Sequence, residues 1–152
     1  SVAAHVNLGK LLGQRGDRAG AIAHYRAAVN LNPQHAVAHF NLGNALLATD
    51  AAAAADQYAE AVQAQPDFGE AQLSLAIVLA KQGKATEALP HFAEAVRLRP
   101  ESAEARFNYG VALGNAGRTE EATRQFAETL RLEPDHSKAR DFLERLRRMT
   151  PR

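Results

Sequence analysis

The chain has 152 residues, is 46% hydrophobic and 23% charged, and carries a formal net charge of +1. That is the length of one ordinary domain. It contains no cysteine, which excludes disulfides and thiolate metal sites, and no apolar run approaches the length of a membrane-spanning helix, so no membrane insertion is expected.

Four prolines, Pro33, Pro66, Pro100 and Pro134, stand 33, 34 and 34 residues apart, and each closes a similar phrase. A period in this range marks a solenoid, in which each unit is too small to bury its own apolar face and stacks on the next. The first phrase runs through Leu8-Gly9, Leu12, Gly16, Ala21, Tyr25 and Ala28. The second runs through Leu42-Gly43, Leu46, Ala54, Tyr58 and Ala61. In the third the same columns read Leu75-Ala76, Leu79, Gly83, Ala88, Phe92 and Ala95, and in the fourth Tyr109-Gly110, Leu113, Gly117, Ala122, Phe126 and Thr129. Spacings of three, four and seven are those of amphipathic helices, so each copy holds two. The expected repeats are 2–35, 36–68, 69–102 and 103–136.

The recurrent small residue in the middle of the first helix costs packing, and as glycine up to about 1 kcal/mol of helix propensity, so it points to close approach of another helix. The aromatic residue of the second helix is the natural group to fill that space. Gly16, Gly83 and Gly117 suit the positive φ of a helix C-terminus, and each proline stops the second helix. Repeat two departs from the pattern. Its turn, Ala48-Thr49-Asp50, is one residue short and has no glycine, with Asp50 placed to cap the next helix. The run Ala51–Ala55 that follows offers little side chain to bury, so this repeat is expected to be the weakest.

Residues 137–149 read as one more first helix without a second. Ala139, Phe142, Leu143 and Leu146 make an apolar stripe that ends at Met149, and a solenoid needs such an element to seal its end. The segment from Lys138 onward is basic, with Lys138, Arg140, Arg145, Arg147, Arg148 and Arg152 against Asp141 and Glu144. That excess of +4 leaves −3 on the repeats. The basic stretch is short and has no aromatic partners for bases, so nucleic acid is not expected.

Leu-Gly, Ala, aromatic, Ala and Pro at these offsets resemble the tetratricopeptide repeat family over residues 2–135. The tryptophan common early in that family's first helix is replaced by His5, His39, Gln72 and Arg106. The resemblance implies an all-α, right-handed α-solenoid of four helix-turn-helix repeats plus a C-terminal capping helix, forming a single domain over 1–152. It also implies that the first helices line a concave groove. Asn7, Asn41, Ser74 and Asn108 share one column there, similar to the asparagine ladder in the repeat domain of O-linked N-acetylglucosamine transferases. An asparagine amide has two donors and an acceptor to offer a peptide backbone. Lys10 and Asn44 lie one helical turn further on. Phe40 and Phe107 are candidate anchors for apolar side chains, and Glu70 and Glu104 make an acidic edge. Chaperone-binding members of the family clamp a carboxylate with Lys and Arg at positions that read Glu70 and Ser74 here. Only Lys10 matches part of that set, so that function is not expected.

The six histidines have no third ligand at metal spacing, and no nucleophile with its base, phosphate loop or carboxylate pair occurs. The sequence therefore predicts no catalytic site, no metal and no cofactor. The expected partner is a protein or peptide segment held in the groove. Three rival readings stay open: a scaffold or targeting portion of a larger enzyme such as a glycosyltransferase, a self-associating scaffold, and, against the expectation above, nucleic-acid binding through the basic C-terminal helix. The chain opens at Ser1 and reads as a processed chain or a fragment. A cytoplasmic location is favoured, and a periplasmic one if the chain belongs to an exported protein. High alanine content and a preference for Arg over Lys point towards a bacterial gene.

Overall fold

Every amphipathic stretch forms a helix in the computed structural model, which describes residues 1–149; Arg152, counted among the basic residues above, lies outside them. The described residues contain α1 (Val2–Gln14), α2 (Arg18–Leu31), α3 (Ala36–Leu46), α4 (Ala51–Ala64), α5 (Gly69–Lys81), α6 (Ala85–Leu98), α7 (Ala103–Asn115), α8 (Thr119–Leu132) and α9 (Ser137–Met149). They pair as helix-turn-helix units. The chain forms two compact units, Ser1–Val78 and a second beginning at Leu79.

In the first unit α1 packs on α2, α3 on α4, and α3 also lies against α2 and α1. The small-residue column does what its chemistry suggests. A Cβ on Gly9 would stand 2.6 Å from Cε1 of Tyr25, and one on Gly43 would stand 2.7 Å from Cε1 of Tyr58. Both rings are buried, Tyr58 completely. Val6, Ala28 and Ala38 join α1, α2 and α3 in one apolar cluster.

The turns divide into two designs. After α1, α5 and α7 the chain passes through Gly16, Gly83 and Gly117, at φ of 83°, 79° and 75°. The next residue in each case donates its N–H back to a carbonyl five residues earlier: Asp17 to Leu12, Lys84 to Leu79 and Arg118 to Leu113, all at 2.9 Å. This closing bond satisfies carbonyls that the helix end would leave unpaired. The short turn of repeat two lacks it. There Asp50 N–H donates to Leu46 O at 2.8 Å, and the Asp50 carboxylate accepts from Ala53 N–H at 2.9 Å.

The alanine run buries little, in keeping with its small side chains. Only Ala54 and Ala55 of Ala51–Ala55 are buried, so the run supplies helix propensity more than core. Packing in repeat two rests on Tyr58, which is 0% exposed.

A second recurrent device lies in the column where the family prefers tryptophan. His39 donates through Nε2 to Pro33 O at 3.0 Å, and Gln72 through its amide to Pro66 O at 2.9 Å. Arg106 reaches Pro100 O and Arg140 reaches Pro134 O, both at 2.8 Å. Four side chains of three types thus bind the equivalent proline carbonyl, six residues upstream, and tie the proline turn to the following helix. On the other side, His39 Nδ1 lies 2.8 Å from Gln57 Oε1 and Arg106 lies 3.3 Å from Gln125 Oε1, joining first to second helix.

In the second unit α7 packs against α6 and α8, and α9 against α8. Its core is Leu113, Ala122, Phe126, Ala139 and Leu143, with Phe107, Phe142 and Leu146 against it. Phe126 stacks on Phe142 with ring centres 5.3 Å apart, and a Cβ on Gly110 would meet the Phe126 ring at 2.9 Å. Helix α9 therefore packs its apolar stripe on repeat four, as its sequence predicts, with Met149 left exposed.

Candidate functional site

The first helices of the first unit leave an open groove of about 400 Å³ whose wall includes Lys10 and Gln14 on α1, Arg18 on α2, Tyr25 beneath, and Asn41 and Asn44 on α3. Of the residues singled out from sequence, Lys10, Asn41 and Asn44 are brought together here. Asn41 is half-buried, and its Nδ2 is a buried nitrogen without a hydrogen-bond partner. Leaving such a donor unpaired costs about 1–3 kcal/mol. Asn44 is held in place, because its Oδ1 accepts from the Tyr58 hydroxyl at 2.8 Å, leaving its amide N–H groups for a ligand. Burial raises the pKa of the Tyr58 phenol, and its hydrogen bond with Ser74 offsets part of that rise. Burial likewise raises the Tyr25 phenol. Both groups are therefore neutral hydrogen-bonding groups at physiological pH.

The remaining expected residues of this unit fall elsewhere. Asn7 is exposed on α1 and does not line the groove. Ser74 lies near the Tyr58 hydroxyl and does not line the groove. Phe40 is half-buried, 4.9 Å from Phe68 and 5.9 Å from Tyr58 between ring centres, so it packs the unit instead of standing as an open anchor. Glu70 is exposed in the first turn of α5.

In the second unit Glu104 is exposed, and its backbone carbonyl accepts from the Asn108 amide at 2.9 Å. Asn108 thus spends one donor on its own helix, which Asn41 does not. Phe107 sits in an aromatic cluster, 4.6 Å from His136, 5.8 Å from Phe126 and 5.9 Å from Phe142. One edge of it lines an open cavity of about 610 Å³ at the α8–α9 turn, with Pro134, His136 and Lys138. Gln14, Arg18 and Tyr25 were missed as groove residues because Gln14 is the last residue of α1 and Arg18 and Tyr25 belong to the second helix, outside the columns that the repeat pattern marks as groove-facing. No group of three or more potential metal ligands, and no helix long and apolar enough to cross a membrane, occurs among the described residues.

Paired helices repeating every 33 or 34 residues, with a glycine seated under the aromatic ring of its partner helix, define an α-helical repeat protein. Tetratricopeptide repeat models match residues 9–50, 48–100 and 79–146 in turn. The chain belongs to the tetratricopeptide repeat family. It is 34% identical over 85 residues to human DnaJ homolog subfamily C member 3, a match covering 55% of this chain and 17% of that protein. Among solved structures it resembles YrrB, described as a TPR protein with an unusual peptide-binding site, at 29% identity and a TM-score of 0.89. That alignment covers 95% of this chain and 75% of YrrB. A MamA structure aligns at 25% identity and a TM-score of 0.79, over 91% of this chain and 81% of its own. MamA from Desulfovibrio magneticus, at 19% identity, aligns with a TM-score of 0.86 over 97% and 84% of the two chains and shares the fold.

Proposed function

We propose that the chain is a non-enzymatic interaction module that holds a peptide segment of a partner protein along its first helices. The observation that carries this reading is Asn41, whose amide nitrogen is buried and unpaired beside Asn44, Lys10 and Gln14. That nitrogen is closed off in the free chain, so a peptide carbonyl reaches it once the amide turns outward, recovering a hydrogen bond that the free protein lacks. Backbone recognition of this kind is indifferent to sequence, so selectivity comes from the edges of the site. Lys10 and Arg18 favour acceptors at the first unit's groove. Exposed Glu70 and Glu104 favour basic side chains near the starts of α5 and α7. The description of YrrB as peptide-binding supports the same reading.

A single neutral hydrogen bond nets only about 0.5–1.5 kcal/mol, against the roughly 8 kcal/mol that micromolar affinity needs. Apolar contacts must therefore supply much of the binding. A peptide-array screen with the native chain and with Asn41→Ala tests the proposal. The expected result is a loss of about fivefold to tenfold, shared by all ligands regardless of sequence. Glu70→Gln with Glu104→Gln should instead weaken basic peptides selectively. Ligands indifferent to all three substitutions would place the binding surface elsewhere.

One observation favours a second reading, association through α1. Leu8 is 41% exposed, whereas its column mates Leu42 and Leu75 are 3% and 5% exposed. Sedimentation as a dimer that Leu8→Glu dissolves would support it.

A further inference from the structure

The second unit contains a groove at the same register as the Lys10–Asn41–Asn44 groove, with different chemistry. It encloses about 200 Å³ between Gly110, Val111 and Gly114 on α7 and Phe142, Leu146 and Met149 on α9. Phe142 stands 34 residues after Asn108 and so occupies the asparagine column, and Arg145 stands 34 after Val111, in the column of Lys10 and Asn44. Where the first unit offers amides, this groove offers an aromatic ring, aliphatic side chains and one guanidinium.

We propose that α9 is more than an end cap, and that with α7 it forms a docking site for a protein segment carrying a leucine-sized aliphatic side chain beside an aspartate or glutamate. The inference rests on the peptide-binding reading above and adds a second subsite with its own selectivity.

Size fits the aliphatic side chain, since an apolar cavity of about 150 Å³ accommodates a benzene-sized group. The opening at Gly114 is not required by internal packing. A Cβ there would meet only the Ala122 Cβ, at an ordinary 3.9 Å, whereas the Gly110 position is filled by Phe126. Met149 borders the groove at 76% exposure, and a thioether side chain adapts readily to an incoming apolar group.

Charge complementarity selects the acidic neighbour. The Arg145 guanidinium carbon lies 5.3 Å from the centre of the Phe142 ring, and Arg145 makes no ion pair among the described residues. Glu144 turns to Arg148, at 4.0 Å. A guanidinium steadied over a ring presents a planar fork suited to a carboxylate. Glu104 lies seven residues before Val111, the α7 residue at Arg145's register, about 10 Å along the helix and beyond contact distance.

The test is an NMR titration of the ¹⁵N-labelled full chain with acetylated, amidated hexapeptides of glycine and serine that differ only in a central pair: Leu-Asp, Ser-Asp or Leu-Lys. Leu-Asp should shift the amide signals of Val111, Gly114 and Met149 and bind at least about tenfold more tightly than the other two. Arg145→Glu, at an exposed position, should leave signals of the rest of the chain in place while reversing the preference between Leu-Asp and Leu-Lys. Equal responses to the three peptides, or shifts confined to Lys10 and Asn41, would overturn the inference while leaving the peptide-binding reading standing. No shift anywhere at millimolar peptide would overturn both.

Discussion

Phe126→Ala is expected to destabilise the second unit by about 3–5 kcal/mol, the cost of removing a large aromatic group from a closed core. Phe126 is 1% exposed. Its ring stacks on Phe142 at an interplanar angle of 14°, approaches Phe107 at 5.8 Å and fills the space over Gly110. The void left by alanine would be bounded by helix backbone at Gly110 and by rings already in contact with one another, so little can move in to close it. Three helices lose their common contact at once, because Gly110 lies on α7, Phe126 on α8 and Phe142 on α9. Urea denaturation followed by circular dichroism should show a large fall in midpoint. A loss near 1 kcal/mol, the size typical of an average substitution, would mean that α9 does not close the core as described.

Gly43→Val is the second large effect. Its Cβ would stand 2.7 Å from a carbon of the Tyr58 ring, closer than nonbonded carbons tolerate. The ring has nowhere to retreat, being 0% exposed and tethered through its hydroxyl to Asn44. Overpacking of this kind costs about 1–3 kcal/mol, and losing the tether adds about 1 kcal/mol. The same substitution should weaken peptide binding, since displacing Tyr58 releases Asn44 from its place in the groove. Gly13→Ala is the matched control. A Cβ there meets only the Ala21 Cβ at 3.8 Å, so the change should be neutral or stabilising by up to about 1 kcal/mol through helix propensity. Thermal melts of the two variants should therefore move in opposite directions, or one should not move at all. Equal shifts would show that the column is glycine for reasons other than ring contact.

Much of this fold was legible in the amino-acid sequence because its signals are local and repeated. The pairing of Gly9, Gly43 and Gly110 with Tyr25, Tyr58 and Phe126 follows from one small and one large residue recurring at fixed offsets. The positive φ of Gly16, Gly83 and Gly117 follows from glycine recurring where a helix must end. The proline-carbonyl latch was hidden for the opposite reason. His39, Gln72, Arg106 and Arg140 share a hydrogen-bonding role but not one residue type, so the column shows in the sequence as a missing tryptophan and not as a recurrent bond.

The candidate site was legible only in part, because identical residues meet different surroundings. Asn7, Asn41 and Asn108 are equivalent by register, yet Asn7 is exposed, Asn41 has an unpaired buried nitrogen, and Asn108 bonds its own helix. Those fates depend on what the adjacent helix places opposite each amide, which the repeat pattern of one helix does not encode. Phe40 and Phe107 illustrate the same point from the apolar side. Both face neighbouring rings that close around them, so their area goes mostly to packing within each unit.

Central to this account is a peptide segment lying against the first helices, with Asn41 and Asn44 in direct contact. A peptide selected on the native chain can be labelled with a nitroxide and bound to ¹⁵N-labelled protein, and the side-chain amide signals compared with those of the second helices. Strong broadening is expected at Asn41 and Asn44, with the backbone signals of Arg26 and Glu60, exposed on α2 and α4, retained. Broadening at Arg26 and Glu60 with Asn41 and Asn44 unaffected would contradict that placement of the peptide.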